Sequence, residues 1–371
     1  MAFEIDYERK LFQLGQELVD GSYKIGKSIC FISFKPVQRE IFAADFRDRI
    51  VHHLIYNYIK TIFENSVIND SYSCRKGKGT HYGIKRLDHF IRSCSKNYHA
   101  NCYILKLDIQ GYFMSIDRNI LYKQVEDKIL KHNRKNKFSK TWLLQLIKQV
   151  IFHVPTKNCL INGKKSDWHG LPKSKSLFGA EKDKGLPIGN LTSQLFGNLY
   201  LDKFDHFVKN DLKCKYYGRY VDDIVIVHPD SQFLKSIILP ISDFLEEYVK
   251  LQLHPKKMYL QSYKNGVSFL GAFLKPYRIY IRNRVKGNFY INLKKYILRS
   301  QIWELDHLKN KKMIASVNSY LGLMSLFQTF KLRRKMLLEY MLPDYNKCIY
   351  VECNYQKIII KQDLGHQLSA F

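Results

Sequence analysis

Apolar residues recur at helical spacing over Phe3–Val19, where Leu11, Phe12, Leu14 and Leu18 supply one face of an amphipathic helix. Tyr23–Phe34 reads as a pair of strands around Gly26, followed by Lys35-Pro36. Asp45 stands where a helix N-cap should, and a 3.6-residue period runs from Arg47 to Ile62. A Gly- and Lys-rich loop, Arg75–Gly83, precedes a helix expected over Ile84–Ser95. Tyr103–Ile109 is β-branched and apolar between polar flanks, which predicts a buried strand carrying an aspartate at its end. Lys157–Lys184 has no period and is rich in Gly, Lys and Ser, as a surface loop would be. Asn190–Lys209 is helical in pattern. Cys214–His228 is a hairpin whose turn contains Tyr220-Val221-Asp222-Asp223. A further short hairpin is expected from Val267–Leu274 and Tyr277–Arg284, and the chain to Leu342 is helical. No internal repeat or low-complexity segment interrupts this order.

A chain of 371 residues, 46% hydrophobic, predicts two or three subdomains around a large core. It has no run of 18 apolar residues and no basic-then-apolar leader at MAFEIDYERK. The expectation is therefore a soluble, cytoplasmic protein with no membrane partner. The eight Cys show no C-x-x-C spacing and no companion His pair, which points to free thiols rather than zinc ligands. His52 and His53, on a predicted helix, read as structural.

Charge changes the picture most. Sixty-one Lys and Arg against thirty-three Asp and Glu give a formal charge of +28, spread along the chain and interleaved with 26 Tyr. Between Pro276 and Leu342 there are 14 basic residues and 3 acids. Cations neutralise phosphates and release counterions, while aromatic faces stack on bases, so nucleic acid is the favoured partner over a membrane surface or a ribosome.

Against that background, the acids in apolar strands stand out. Ile104-Leu105-Lys106-Leu107-Asp108 continues as Ile109-Gln110-Gly111-Tyr112-Phe113, and Tyr220-Val221-Asp222-Asp223 leads into Ile224-Val225-Ile226-Val227. An Asp-Asp pair can be ordinary turn chemistry. Beside a core, however, adjacent carboxylates repel and lose hydration, and a divalent cation relieves both penalties. Hard oxygen donors suit Mg²⁺, and two such ions about 3.5–4 Å apart clamp an in-line displacement at phosphorus. Asp108 and Asp222 are the expected bridging ligands. Asp223 points to the other strand face and is the less direct of the three.

These residues resemble the motifs of reverse transcriptases. Tyr220–Asp223 is similar to their metal-binding box, Lys106–Asp117 to their first catalytic motif, and Gly185-Leu186-Pro187-Ile188-Gly189 to their primer- and nucleotide-site loop. The resemblance covers residues 20–342. It implies an α+β right-hand polymerase with fingers, a palm of antiparallel sheet backed by helices, and a helical thumb. The corresponding ranges are an N-terminal extension and fingers at 1–100, a palm at 101–287 with an inserted basic loop near 155–184, a thumb at 288–342 and a tail at 343–371. It also implies two Mg²⁺, with Mn²⁺ as a substitute, held by Asp108, Ile109, Asp222 and Asp223. Lys257 (with Lys256 as competitor) would protonate pyrophosphate. Nucleotide contacts would fall to Arg75, Lys76, Phe113, Ile188 and Gly189; Phe113 is nearly as readable as a core aromatic, and the Arg75 loop can also be solvated surface. Val267–Leu274 resembles a primer-grip hairpin.

Ile188 and Ser193-Gln194 resemble the variant in diversity-generating retroelements, bacterial or phage enzymes related to those of group II introns. That lineage implies copying an RNA template, from a DNA or RNA primer and dNTPs, into adenine-mutagenised cDNA for mutagenic retrohoming. It also implies an accessory variability determinant as partner. Ile188, Ser193 and Gln194 are then linked to fidelity, since a site lacking a glutamine amide polices geometry less. A retron, group II intron or phage-defence reverse transcriptase without targeted mutagenesis is the nearest alternative, and an idle nucleic-acid binder a more distant one.

Overall fold

The computed structural model describes residues 5–34, 37–132, 139–297, 307–345 and 349–361. They form two compact units, Met1–Gln261 and Ser262–Phe371. The palm range anticipated from sequence, 101–287, crosses that division.

The first unit is organised by two sheets. In one, β1 (Ser28–Ser33) lies between β2 (Arg39–Ala43), antiparallel, and β4 (Cys159–Ile161), parallel. In the other, β5 (Tyr216–Tyr220), β6 (Asp223–His228), β3 (Tyr103–Asp108) and β7 (Tyr259–Ser262) follow in that order. β6 is central, and Ile224, Val225, Ile226 and Val227 are all buried, so it reads as an unbroken apolar run rather than an alternation. Helices Arg118–Lys131, Lys140–Phe152, Leu191–Tyr200 and Ile238–Val249 pack Val125, Ile147, Phe196 and Leu245 into the same core as Leu105, Leu107 and Ile226. Asp45 caps Phe46–Glu64 as expected, accepting from the Arg47 amide at 3.0 Å.

Several expectations are corrected. Tyr23–Phe34 is not a strand pair; only Ser28–Ser33 is a strand, and its partners lie at Arg39–Ala43 and Cys159–Ile161. The stretch around Gly26 is instead pinned by buried Asp48, which accepts from the Tyr23 hydroxyl (2.7 Å) and the Gly26 amide (2.9 Å). The N-terminal helix spans Tyr7–Asp20, but it buries only Leu14, leaving Phe12 70% exposed. Lys157–Lys184 is irregular yet not a free loop. It contributes β4, and fully buried Glu40 accepts from Trp168 Nε1 (2.7 Å), Ser176 Oγ (2.8 Å) and the Leu177 amide (2.6 Å). The helix expected over Asn190–Lys209 breaks at Leu201 into Leu191–Tyr200, Asp202–His206 and a π-helical turn, Phe207–Asp211.

The second unit opens with a meander of β8 (Val267–Phe269), β9 (Ala272–Lys275) and β10 (Arg278–Ile281). Arg284, expected in a strand, lies instead in the helix Asn283–Ile297. Helices His307–Ser325 and Phe330–Tyr340 complete an apolar core with Phe289, Val317, Leu321 and Leu337. The stretch set apart as a tail contributes to it: β11 (Ile349–Val351) and β12 (Ile358–Ile360) pair antiparallel and bury Ile349 and Ile358 there. Asn318 ties this hairpin down, donating to the Ile358 carbonyl and accepting from its amide, both at 2.8 Å.

Candidate active site

Asp108 ends β3 and Asp223 begins β6, and the two are direct cross-strand partners. Tyr220 pairs with Asp223 on the other side, closing a two-residue turn over Val221 and Asp222. Such turns follow strand twist when the first central residue has positive φ, and Val221 does, at +57°. A β-branched residue in that region costs about 1–3 kcal/mol and persists only where its surroundings fix it.

The turn thus brings three carboxylates to one end of the sheet. Burial pushes the Asp222 carboxyl up to about 6, and the negative charges of Asp108 and Asp223 add to the shift. Lysines answer the other two acids. Lys257 Nζ lies 2.8 Å from Asp108 Oδ1, and Lys106 Nζ 2.8 Å from Asp223 Oδ1. Lys257 is carried by a turn hung on the strand end: the His254 amide donates to the Asp108 carbonyl (2.8 Å), and the Lys257 amide to the His254 carbonyl (3.0 Å). Lys256 is exposed, its amide donating to His254 Nδ1. Ile109 is buried and bridges to Leu253.

Among the described residues no three acids, His or Cys close into a ready-made metal cage. What the site offers is Asp222 beside two acids that lysines already answer, Asp108 on Lys257 and Asp223 on Lys106. The donor chemistry still fits a divalent cation, because burial and the charges of Asp108 and Asp223 raise the proton affinity of Asp222, and a cation bound by these hard carboxylate oxygens reverses that penalty.

The Leu186–Asn190 segment is fixed at both ends by backbone. The Leu186 amide donates to the Phe113 carbonyl (2.8 Å), and the Phe42 amide to the Ile188 carbonyl (2.8 Å). Gly189 has φ +130°, and a Cβ there would stand 2.8 Å from the Phe42 carbonyl oxygen, so only glycine fits. The Ile188 side chain is partly buried against Cys30, Phe42, Met114 and Leu177. Phe113 packs edge-on to Tyr112 and closely over Gly197, where a Cβ would meet it at 3.1 Å. Ser193 is buried, whereas Gln194 is exposed and its Oε1 accepts from Cys74 Sγ at 3.0 Å. That contact joins this helix to the Arg75 loop.

Arg75 does not project freely from its loop. Its guanidinium binds Glu64 (2.8 and 2.9 Å) and the carbonyls of Ile68 (2.7 Å) and Ser71 (2.9 Å). Lys76 beside it is exposed. Two groups escaped the sequence reading. Lys106 was recoverable, because two residues before Asp108 on a strand is the same face. Arg219, fully buried on Asp205, carried no such signal, since its partner lies 14 residues away on another element. Burial opposes its charge, and the Asp205 carboxylate overrides that, holding Arg219 above the usual arginine range.

Comparison with known proteins gives the family and the fold. Residues 37–274 match the family model described as reverse transcriptase (RNA-dependent DNA polymerase). The chain is 21% identical over 295 residues to the putative COX1/OXI3 intron 2 protein of Saccharomyces cerevisiae, covering 63% of this chain and 31% of that one. Among solved structures, telomerase from Candida albicans, in complex with a TWJ fragment of telomeric RNA, superposes with a TM-score of 0.50 at 12% identity. That match covers 85% of this chain and 55% of that one. Apo telomerase from Candida tropicalis gives 0.50 at 13%, covering 86% and 60%. The chain therefore spans about a third of the intron protein and little over half of the telomerase chains. The shared fold is α+β, that of the right-hand polymerases.

Proposed function

The chain belongs to the reverse transcriptase (RNA-dependent DNA polymerase) family, and from that premise we propose that it extends a DNA or RNA primer with dNTPs along an RNA template. The observation that carries this is the meeting of Asp108 with Asp222-Asp223 across β3 and β6, with Lys257 seated on Asp108. When bound, two Mg²⁺ (or Mn²⁺) would supply activation of the primer 3′-hydroxyl and charge neutralisation on the triphosphate. Asp108 and Asp222 would hold them, with Ile109 at the strand end and Asp223 in support through Lys106. The new bond joins the primer oxygen to the α-phosphorus as the α–β phosphoanhydride breaks. In this reading Lys257 gives its proton to the departing pyrophosphate, and its ion pair with Asp108 supports that role. Phe113, Ile188, Gly189 and Lys76 line the nucleotide side in this reading. Arg75 acts there by shaping its loop.

The finer reading is a diversity-generating retroelement enzyme that misreads adenines, works with an accessory variability determinant, and acts in a bacterial cytoplasm. It rests on Ile188, which offers only apolar contact where a glutamine amide would offer a donor and an acceptor, and on Ser193-Gln194. A second reading, an intron-type enzyme without targeted mutagenesis, is favoured by the similarity to the intron 2 protein.

Primer extension on an RNA template with sequenced products, with and without the accessory protein, separates them. Adenine-biased errors in the wild type, reduced in Ile188→Gln, support the mutagenic reading. Accurate wild-type copying sinks it in favour of the intron type. Extension that survives Asp222→Ala overturns the site itself.

A further inference from the structure

We propose that Arg219 is the positioning residue of the catalytic turn, fixing Asp222 through the Val221 carbonyl and tying the turn to the segment that leads into the Arg75 loop; the proposal rests on the carboxylate site argued above.

The guanidinium is divided among several chain segments. Nε and Nη2 grip both Asp205 carboxylate oxygens at 2.7 and 2.6 Å. Nη1 donates to the Val221 carbonyl at 2.9 Å, and Nη2 reaches the Asn198 carbonyl at 3.2 Å and the Ser71 hydroxyl at 3.5 Å. Its own backbone continues the link: the Arg219 amide donates to the Asp70 carbonyl and the Tyr72 amide to the Arg219 carbonyl, both at 2.9 Å. Asn198 Nδ2 adds a bond to the Ser73 carbonyl at 2.6 Å. Gly218 shows how close the approach is, since a Cβ there would sit 2.2 Å from the Tyr72 hydroxyl oxygen.

Asp205 takes Nε and Nη2, and the remaining donors of this fully buried guanidinium need acceptors of their own. The arm on Val221 also does something else. Val221 holds a left-handed conformation that branched residues rarely adopt, and its carbonyl accepts from the fully buried Arg219 guanidinium. Asp222 is the next residue, so any relaxation of Val221 moves that carboxylate relative to Asp108. Function at such a site tolerates displacements of only about 0.5 Å. Lysine can keep the charge opposite Asp205, but a single ammonium cannot span the carboxylate and the Val221 carbonyl as a planar fork does.

The test compares the full chain as wild type, Arg219→Lys, Asp222→Ala and the double variant Arg219→Lys/Val221→Gly. The readouts are Mn²⁺ binding by electron paramagnetic resonance, kcat and KM for dNTP in primer extension, and folding by circular dichroism. Arg219→Lys is expected to fold, to bind Mn²⁺ about 10-fold more weakly, and to lose about 10–100-fold in kcat with dNTP KM nearly unchanged. The double variant should recover much of the Mn²⁺ affinity, because glycine takes positive φ without an anchor. Wild-type Mn²⁺ affinity and kcat in Arg219→Lys overturn the proposal. So does a loss that tracks unfolding and that Val221→Gly fails to rescue. If the folded wild type extends no primer, the polymerase reading fails, and the Mn²⁺ series still decides the role of Arg219.

Discussion

Replacing Asp222 by Asn removes a charge that the folded chain holds at a disadvantage. In the native state this carboxyl is pushed from the ordinary aspartate value of 3.8 up to about 6, by burial first and then by Asp108 and Asp223. Between those two values the folded state binds more protons than the unfolded one, so stability falls as pH rises through that window and stays low above it. At about 1.4 kcal/mol per pH unit, two units amount to about 3 kcal/mol, which partial exposure of the turn reduces to about 1–3 kcal/mol. Asp222→Asn should therefore be more stable than wild type at pH 7.5 in EDTA by that amount, a melting shift of about 1–5 °C, while losing activity. Thermal melts from pH 4 to 8 test this. The wild-type melting temperature should drop between pH 4 and 6 relative to the variant, and the gap should then hold. Millimolar Mg²⁺ should narrow the gap by stabilising the wild type alone. A variant no more stable than wild type at pH 7.5 in EDTA would refute the picture of a carboxylate cluster loaded against itself.

Three further outcomes follow from contacts described above. Lys257→Ala should lower kcat about 10–100-fold without changing the melting temperature, while Lys256→Ala stays within about twofold, as pH-dependent primer extension would show. Glu40→Ala strips the acceptor from Trp168, Ser176 and Leu177 and should destabilise by about 3 kcal/mol, read by urea denaturation, with faster proteolytic cutting inside 157–184. Arg75→Ala should cost about 1–3 kcal/mol of stability, because Glu64 and the Ile68 and Ser71 carbonyls lose their donor. An Arg75 variant with unchanged stability and a raised dNTP KM would instead show that the side chain leaves its loop for the nucleotide.

The strands that carry Asp108 and Asp222-Asp223 were legible because their signals are local. An apolar run ending in Asp108, a hairpin interrupted by Asp222-Asp223, and Asp45 at a helix start each follow from residues a few positions apart. Where the reading departed from the structure, the deciding partner was remote. β1 finds its second neighbour at Cys159–Ile161, about 130 positions downstream, so no pattern near Gly26 could reveal the sheet. Lys157–Lys184 looked solvated by composition, while its order comes from Glu40 on another strand. Arg75 looked free for another reason: its partners are near in sequence, but beside Glu64 they are backbone carbonyls, which sequence does not display. The strands Ile349–Val351 and Ile358–Ile360 are three residues each, too short for an alternation to register.

The parallel pairing of β1 with β4 also has a consequence during synthesis. Once Ala43 has left the ribosome, β1 and β2 can form their hairpin, yet the far edge of β1 has no partner until Ile161 emerges. At about 5–20 residues per second, roughly 120 residues leave that edge uncovered for about 6–24 s, with Ile29 and Phe31 beside a row of unpaired amides and carbonyls. Nascent chains crowded on one messenger meet during that interval. Yield of the folded protein should therefore depend on expression rate and temperature more steeply than its final stability suggests, and chaperones that bind extended apolar strands should engage the N-terminal 160 residues.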